Sequence, residues 1–205
     1  MSKKLLVDYI NFEVSQEQLN ESMRENDGRL IVNGVLQRAN AKNQNGRVYP
    51  RDTLMREADK YAQVQIAERR ALGELDHPDS SVVNLNNVSH NIKEMHWKGD
   101  DLVGTVEVLS TPAGNILKEL FKNNIRLGIS SRGLGSVEEI SEGDEKGTMK
   151  VQPDFELIAF DFVSNPSTHG AFLSPVTEGV DRNVINKTDK EYKIESIIND
   201  ILRDE

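Results

Sequence analysis

The 205-residue chain contains no cysteine. That absence removes disulfides, thiolate metal sites and cysteine nucleophiles together, and leaves no sign of an oxidising compartment. No apolar run approaches the roughly 20 residues that span a bilayer. The opening Met1-Ser2-Lys3-Lys4-Leu5-Leu6-Val7-Asp8 meets a charge too soon for a signal peptide. Lys and Arg number 25 against 34 Asp and Glu, a net charge of −9. A generic nucleic-acid binder needs a basic excess, so that class is disfavoured. Three catalytic signatures are also missing: the P-loop, the Gly-x-Ser-x-Gly elbow and His-Glu-x-x-His. What remains is a soluble, acidic chain, expected in the cytoplasm, with hydroxyl, imidazole and carboxylate chemistry available.

The texture along the chain gives its organisation. Residues 1–27 read as an appendage: 13–27 has few apolar anchors, and a short helix there would bury little. From Arg29 branched residues dominate, and 30–36 reads as a strand bent or bulged at Gly34. Asn43-Gln44-Asn45-Gly46-Arg47 is a turn. A helix should start at Tyr49-Pro50 and run to about Arg70, followed by an extended 71–78. A hairpin pairs 88–97 with 102–109. Thr111-Pro112 opens a second helix with a hydroxyl cap and a proline at its first position. Residues 125–137 and 155–163 read as strands. After Pro175 the chain is linker-like, and Ile194, Ile197, Ile198, Ile201 and Leu202 then fall at amphipathic-helix spacing. Strands mixed with two clear helices, without regular βαβ alternation, give an α+β class. The expected organisation is an appendage (1–27), a central domain (28–176), and a linker with a tail helix (177–205).

Three places can carry chemistry. His77, in Gly73-Glu74-Leu75-Asp76-His77-Pro78, is either a turn histidine or a general base. His90 and His96 have even spacing on one strand, which puts them on one sheet face. A metal set from His77, His90, His96 and a carboxylate is conceivable but lacks a dense ligand motif. In Gly128-Ile129-Ser130-Ser131-Arg132-Gly133-Leu134-Gly135, small neighbours leave room for a substrate backbone beside a serine, which needs a nearby base to act. Asp161 sits in an apolar strand and needs a partner, either an arginine (Arg126 or Arg132) or an imidazole that it orients.

These two glycine-bearing segments, with Asn45-Gly46-Arg47-Val48-Tyr49-Pro50 and Trp97-Lys98-Gly99-Asp100-Asp101 in the same order, resemble the prohead core protease family of T-even-type tailed phages, itself similar to the herpesvirus assemblins. The resemblance covers roughly residues 29–175. It implies a small assemblin-like β-barrel with surrounding helices and a serine endopeptidase needing no cofactor and no metal. On it, Ser130 falls on the nucleophile and His77 on the base, while Asp161 is a weaker match for the third member. The assemblins use a second histidine there, and His169 is the alternative. Ser131 and Arg132, or the loop 165–168, are candidate oxyanion or substrate contacts. The implied substrates are scaffold, core and major capsid proteins, cut after Glu in an apolar-x-Glu context inside the assembling prohead in the host cytoplasm. A homo-oligomer is expected, with no nucleic-acid or membrane partner. Leu19-Asn20-Glu21 fits the cleavage context, so self-trimming after Glu21 of the appendage is expected. A non-catalytic scaffold component of the same fold, or a metal-dependent hydrolase, are the competing readings.

Overall fold

The computed structural model describes residues 3–141 and 146–164. Strand β1 (Lys4–Phe12) is a run of branched and aromatic residues that buries Leu6 and Phe12. Helix α1 (Gln16–Glu25) opens on a reciprocal cap in which the Ser15 hydroxyl accepts from the Gln18 N–H and the Gln18 side chain accepts from the Ser15 N–H. Next come β2 (Leu30–Arg38), the two-residue β3 (Arg47–Val48) and helix α2 (Arg51–Tyr61). Strand β4 (Leu72–Glu74) precedes the hairpin of β5 (Val88–Lys98) and β6 (Asp101–Val108), which turns through Gly99 at φ 60°. Helix α3 (Pro112–Lys122) is capped by the Thr111 hydroxyl, which accepts from the Gly114 N–H at 3.0 Å. The last strands are β7 (Leu127–Gly135), β8 (Val137–Glu139), β9 (Met149–Val151) and β10 (Glu156–Val163).

These strands form three sheets, ordered β1-β7-β10, β2-β6-β5-β4 and β3-β9-β8. The first two meet at one corner, where Leu75, just past β4, bridges to Phe162 of β10. Aromatic rings pack edge-on beneath that corner: Phe162 lies 5.1 Å from Phe12 and 5.4 Å from Phe121, at 88° and 86°. The α+β class holds. Among the described residues the hydrogen-bonded ladders do not close into a barrel.

The supposed N-terminal appendage is part of the core. β1 pairs with β7 along its whole length, from Lys4 opposite Gly135 to Phe12 opposite Leu127. α1 buries Leu19, and its Ser22 hydroxyl bonds both the N–H (2.7 Å) and the carbonyl (2.6 Å) of Ile31 on β2. The composition of 13–27 hid this because one buried leucine and one serine suffice once a strand anchors the segment. Glu21 therefore lies in a capped, packed helix rather than in loose chain, which removes the basis for trimming there.

Two bulges also change the reading. The irregularity in β2 falls between Val35 and Gln37, not at Gly34. Gly34 instead makes room for the Phe12 ring, since a Cβ there would lie 2.2 Å from Phe12 Cε2. In β5 the register skips between Ile92 and Glu94, which inverts the alternation, so His90 is buried and His96 exposed. The two histidines do not share a face, and the metal set built on them does not assemble. Helix α2 ends at Tyr61 and passes into a π-helical turn, Ala62–Ile66, short of the expected Arg70. The tail helix and linker, 177–205, lie outside the described residues.

Replacing Phe12 with alanine should cost about 3–5 kcal/mol in urea denaturation, as for other large buried aromatics. A loss below about 1 kcal/mol would mean that β1 is peripheral. Mass spectrometry of the folded protein after incubation should find the Glu21–Ser22 bond intact, whereas release of residues 1–21 would show that α1 opens readily.

Candidate active site

β7 is the central strand of its sheet, so each residue has a neighbour on both sides. Ser130 stands opposite Tyr9 on β1 and Asp161 on β10. Directly paired residues project to the same face, so Ser130, Asp161 and, two positions along, Arg132 share one surface of the sheet. Ser131 projects to the other.

The two adjacent serines have opposite fates. Ser131 Oγ accepts from Gln37 Nε2 at 2.6 Å and donates to the Asp8 carbonyl at 3.2 Å. It belongs to a buried network in which the Asp8 carboxylate accepts from Arg47 (2.8 Å), Asn45 (2.7 Å) and the Tyr49 hydroxyl. Burial and the neighbouring Asp8 charge raise the Tyr49 phenol well above its ordinary range. This network clamps the Asn45-Gly46-Arg47-Val48-Tyr49 segment onto β1 and β7. Ser130 is wholly buried, yet its Oγ has no hydrogen-bond partner among the described residues. An unpaired buried hydroxyl costs about 1–3 kcal/mol, so the fold keeps Ser130 in this state against its own stability.

Beside Ser130 lies a sealed ionic cluster. Arg132 Nε donates to Asp161 Oδ2 at 2.8 Å, and its terminal nitrogens reach Asp161 Oδ1 (3.2 Å), Glu74 Oε1 (3.0 Å) and the carbonyls of Ser80 (2.7 Å) and Val82 (3.4 Å). Asp161 Oδ1 also accepts from the Glu74 N–H at 3.0 Å. Burial pushes the Asp161 carboxyl above its ordinary value, opposed by its hydrogen bonds and charge attraction to Arg132. Of the two partners expected for Asp161, the structure supplies the arginine. Both carboxylate oxygens are committed, and no hydrogen bond joins Asp161 to His77 among the described residues.

His77 follows a segment latched to β10. Leu75 bridges Phe162, and the Asp76 N–H donates to the Phe162 carbonyl at 2.7 Å. Asp76 then adopts a left-handed conformation, φ 66°, that turns the chain before His77. His77 thus enters from the flank of β10 opposite to β7, with one strand between it and Ser130. The Glu74 N–H meets Asp161, the residue opposite Ser130, and Asp76 bonds to Phe162, so the chain reaches His77 past the position of Ser130 along β10. His77 Nδ1, like Ser130 Oγ, is buried and without a partner among the described residues, and no hydrogen bond yet joins the two residues.

A family model described as prohead core protein serine protease matches residues 9–181. The chain belongs to that family. It is 32% identical over 170 residues to the prohead core protein protease of Enterobacteria phage T4, covering 80% of this chain and 77% of that protein. Its fold is similar to that of the bacteriophage T4 capsid assembly protease, with a TM-score of 0.68 and 25% identity, over 80% of this chain and 99% of that one. The chain is thus a peptidase of the prohead core serine protease family, acting in prohead maturation, and the first residues of the match lie in β1.

Within this protease fold the remaining sequence candidates separate. His90 is a core histidine: it is neutral, with burial pushing its pKa down to about 3. Its Nε2 therefore donates to the Phe160 carbonyl and its Nδ1 accepts from Ser89, each at 2.9 Å. Ser131 and Arg132 have side chains committed elsewhere, and both lie inside ladders on two sides, which commits main-chain N–H groups to the sheet. They are poor oxyanion donors in this arrangement. The loop 165–168 and His169 fall outside the described residues. Glu74 is the group that the sequence reading passed over. Its signal was its place three residues ahead of His77, one of two carboxylates in that extended segment with Asp76.

Arg132→Met should destabilise the fold by about 3–5 kcal/mol in urea denaturation, because it strands two buried carboxylates. Arg132→Lys should recover little, since one ammonium cannot serve two carboxylates and two carbonyls in this planar fork. A loss below about 1 kcal/mol for Arg132→Met would show that the cluster is not a structural requirement.

Proposed function

We propose that this protease is a serine endopeptidase in which Ser130 is the nucleophile and His77 the general base. The observation that carries the reading is the contrast within Ser130-Ser131: one hydroxyl is fully engaged, while its neighbour is held unpaired on the face of Arg132, which bonds Glu74 and Ser80 on either side of His77 in the chain. The proton of Ser130 passes to the His77 imidazole as Oγ bonds to the peptide carbonyl carbon. The C–N bond then breaks, and the imidazolium returns that proton to the leaving amine. Water, losing a proton to His77, attacks the ester, releases the new carboxylate and restores Ser130. Ser130 is closed to solvent here, so an extended peptide must displace part of its cover.

The same reading assigns scaffold, core and major capsid proteins as substrates, cut after Glu in an apolar-x-Glu context within the prohead in the host cytoplasm. Its support is the family of the chain and the motifs it carries. Arg132 has its donors committed, so it is not the cation that reads the glutamate. The sheets belong, in this reading, to a small assemblin-like barrel, with the Leu75–Phe162 bridge as a seam. Homo-oligomer formation goes with it, as does docking of a partner through Ile194, Ile197, Ile198 and Ile201, supported by their amphipathic-helix spacing in the sequence.

Ser130→Ala should lower cleavage of a Leu-x-Glu peptide by on the order of 10³-fold or more while leaving unfolding stability unchanged or raised, because it removes an unpaired hydroxyl. Ser131→Ala should instead cost about 1–3 kcal/mol by stranding Gln37. Retained cleavage by Ser130→Ala would end the nucleophile assignment. Equal cleavage of Leu-x-Glu and Leu-x-Gln peptides would end the specificity assignment.

A further inference from the structure

Six buried side-chain polar atoms lack a partner among the described residues, and three of them are Glu74 Oε2, His77 Nδ1 and Ser130 Oγ. They come from one corner of the fold. Glu74 and His77 lie three residues apart on a single segment, and Asp161, opposite Ser130 in the sheet, holds the Glu74 N–H. The three atoms are also chemically complementary. A carboxylate oxygen accepts, an imidazole can donate from one nitrogen and accept at the other, and a hydroxyl donates. A buried polar atom left unpaired is costly, so three matching ones in one corner mark bonds that another arrangement of the same groups forms.

The two carboxylates of the cluster are not equivalent. Asp161 has both oxygens filled. Glu74 is gripped by one oxygen only: Oε1 accepts from Arg132 at 3.0 Å and from the Asn84 N–H at 3.0 Å. Those bonds hold the carboxylate by Oε1, the main-chain bond to Asp161 holds the backbone behind it, and Oε2 is left uncommitted among the described residues. The left-handed turn at Asp76 redirects the chain between Glu74 and His77.

We infer that Glu74, not Asp161, is the carboxylate that positions His77: in the competent enzyme Glu74 Oε2 accepts the His77 Nδ1–H, which turns Nε2 to the Ser130 hydroxyl. Glu74 is a positioning residue, since it acts through His77 and does not touch the substrate. Asp161 and Arg132 stand one step further back and hold Glu74. The bond fixes the imidazole tautomer and stabilises the imidazolium formed when Ser130 gives up its proton. This inference rests on the Ser130–His77 reading.

The test uses the full chain with Glu74→Gln and Asp161→Asn, a Leu-x-Glu peptide, and proton NMR of the imidazole N–H signals, with the His77 signal assigned by its loss in His77→Gln. Glu74→Gln is expected to lower kcat by roughly 10²–10⁴-fold with KM within about twofold, and to move the His77 Nδ1–H resonance upfield or abolish it. Asp161→Asn is expected to lose stability but keep that resonance. Wild-type kcat and an unchanged resonance in Glu74→Gln would overturn the inference, as would loss of the resonance in Asp161→Asn alone. If Glu74→Gln does not fold, Glu74→Asp keeps the charge beside Arg132 but withdraws the carboxylate, and full kcat in it would overturn the inference equally. Undiminished cleavage by Ser130→Ala or His77→Gln would locate the failure in the Ser130–His77 reading itself.

Discussion

A guanidinium with no exposure to solvent organises this fold. Arg132 projects from the central strand β7, and its nitrogens reach a carboxylate on β10, another on β4 and two carbonyls in the segment after His77. Charges taken out of water are penalised by several kcal/mol each unless fully paired. The pairing here is nearly complete, and the exception is one oxygen of Glu74. The cluster therefore ties together the strand that carries Ser130, the strand beside it and the segment that carries His77. Together with the Leu75 bridge and the Asp76 N–H bond to Phe162, it fixes the segment that carries His77 beside the strand that carries Ser130.

The opposite face of β7 does a different job. Asp8, Arg47, Asn45, Tyr49 and Ser131 form a buried polar network that binds the N-terminal strand and the Asn-Gly turn to that face of β7. Adjacent residues on one strand thus serve two ends. Ser131 is spent on rigidity, and Ser130 is kept available. A rigid strand holding one uncommitted hydroxyl is what preorganisation of a nucleophile requires.

Much of this was legible where the determining signals are local. The β5–β6 hairpin follows from a glycine turn between alternating arms, and α3 from Thr111-Pro112. β1 was missed because its partner lies more than a hundred residues away: residues 1–27 read as an appendage until β7 is set beside Lys4–Phe12. One skipped residue in β5 was enough to separate His90 from His96, which no parity argument detects. His77, Ser130, Arg132 and Asp161 are all visible in the sequence as chemistry-bearing residues, and an arginine such as Arg132 is one of the two partners the sequence offers Asp161. Which carboxylate oxygen is left unpaired was not visible, because that is a property of three-dimensional hydrogen-bond accounting.

The most direct measurement is the site of covalent modification by a serine-directed fluorophosphonate, read by peptide mapping of the intact protease. The account predicts a single adduct on Ser130, none on Ser131, and no adduct when His77 is replaced by glutamine. An adduct on another residue, or continued peptide cleavage after the reagent has modified Ser130 to completion, would contradict it.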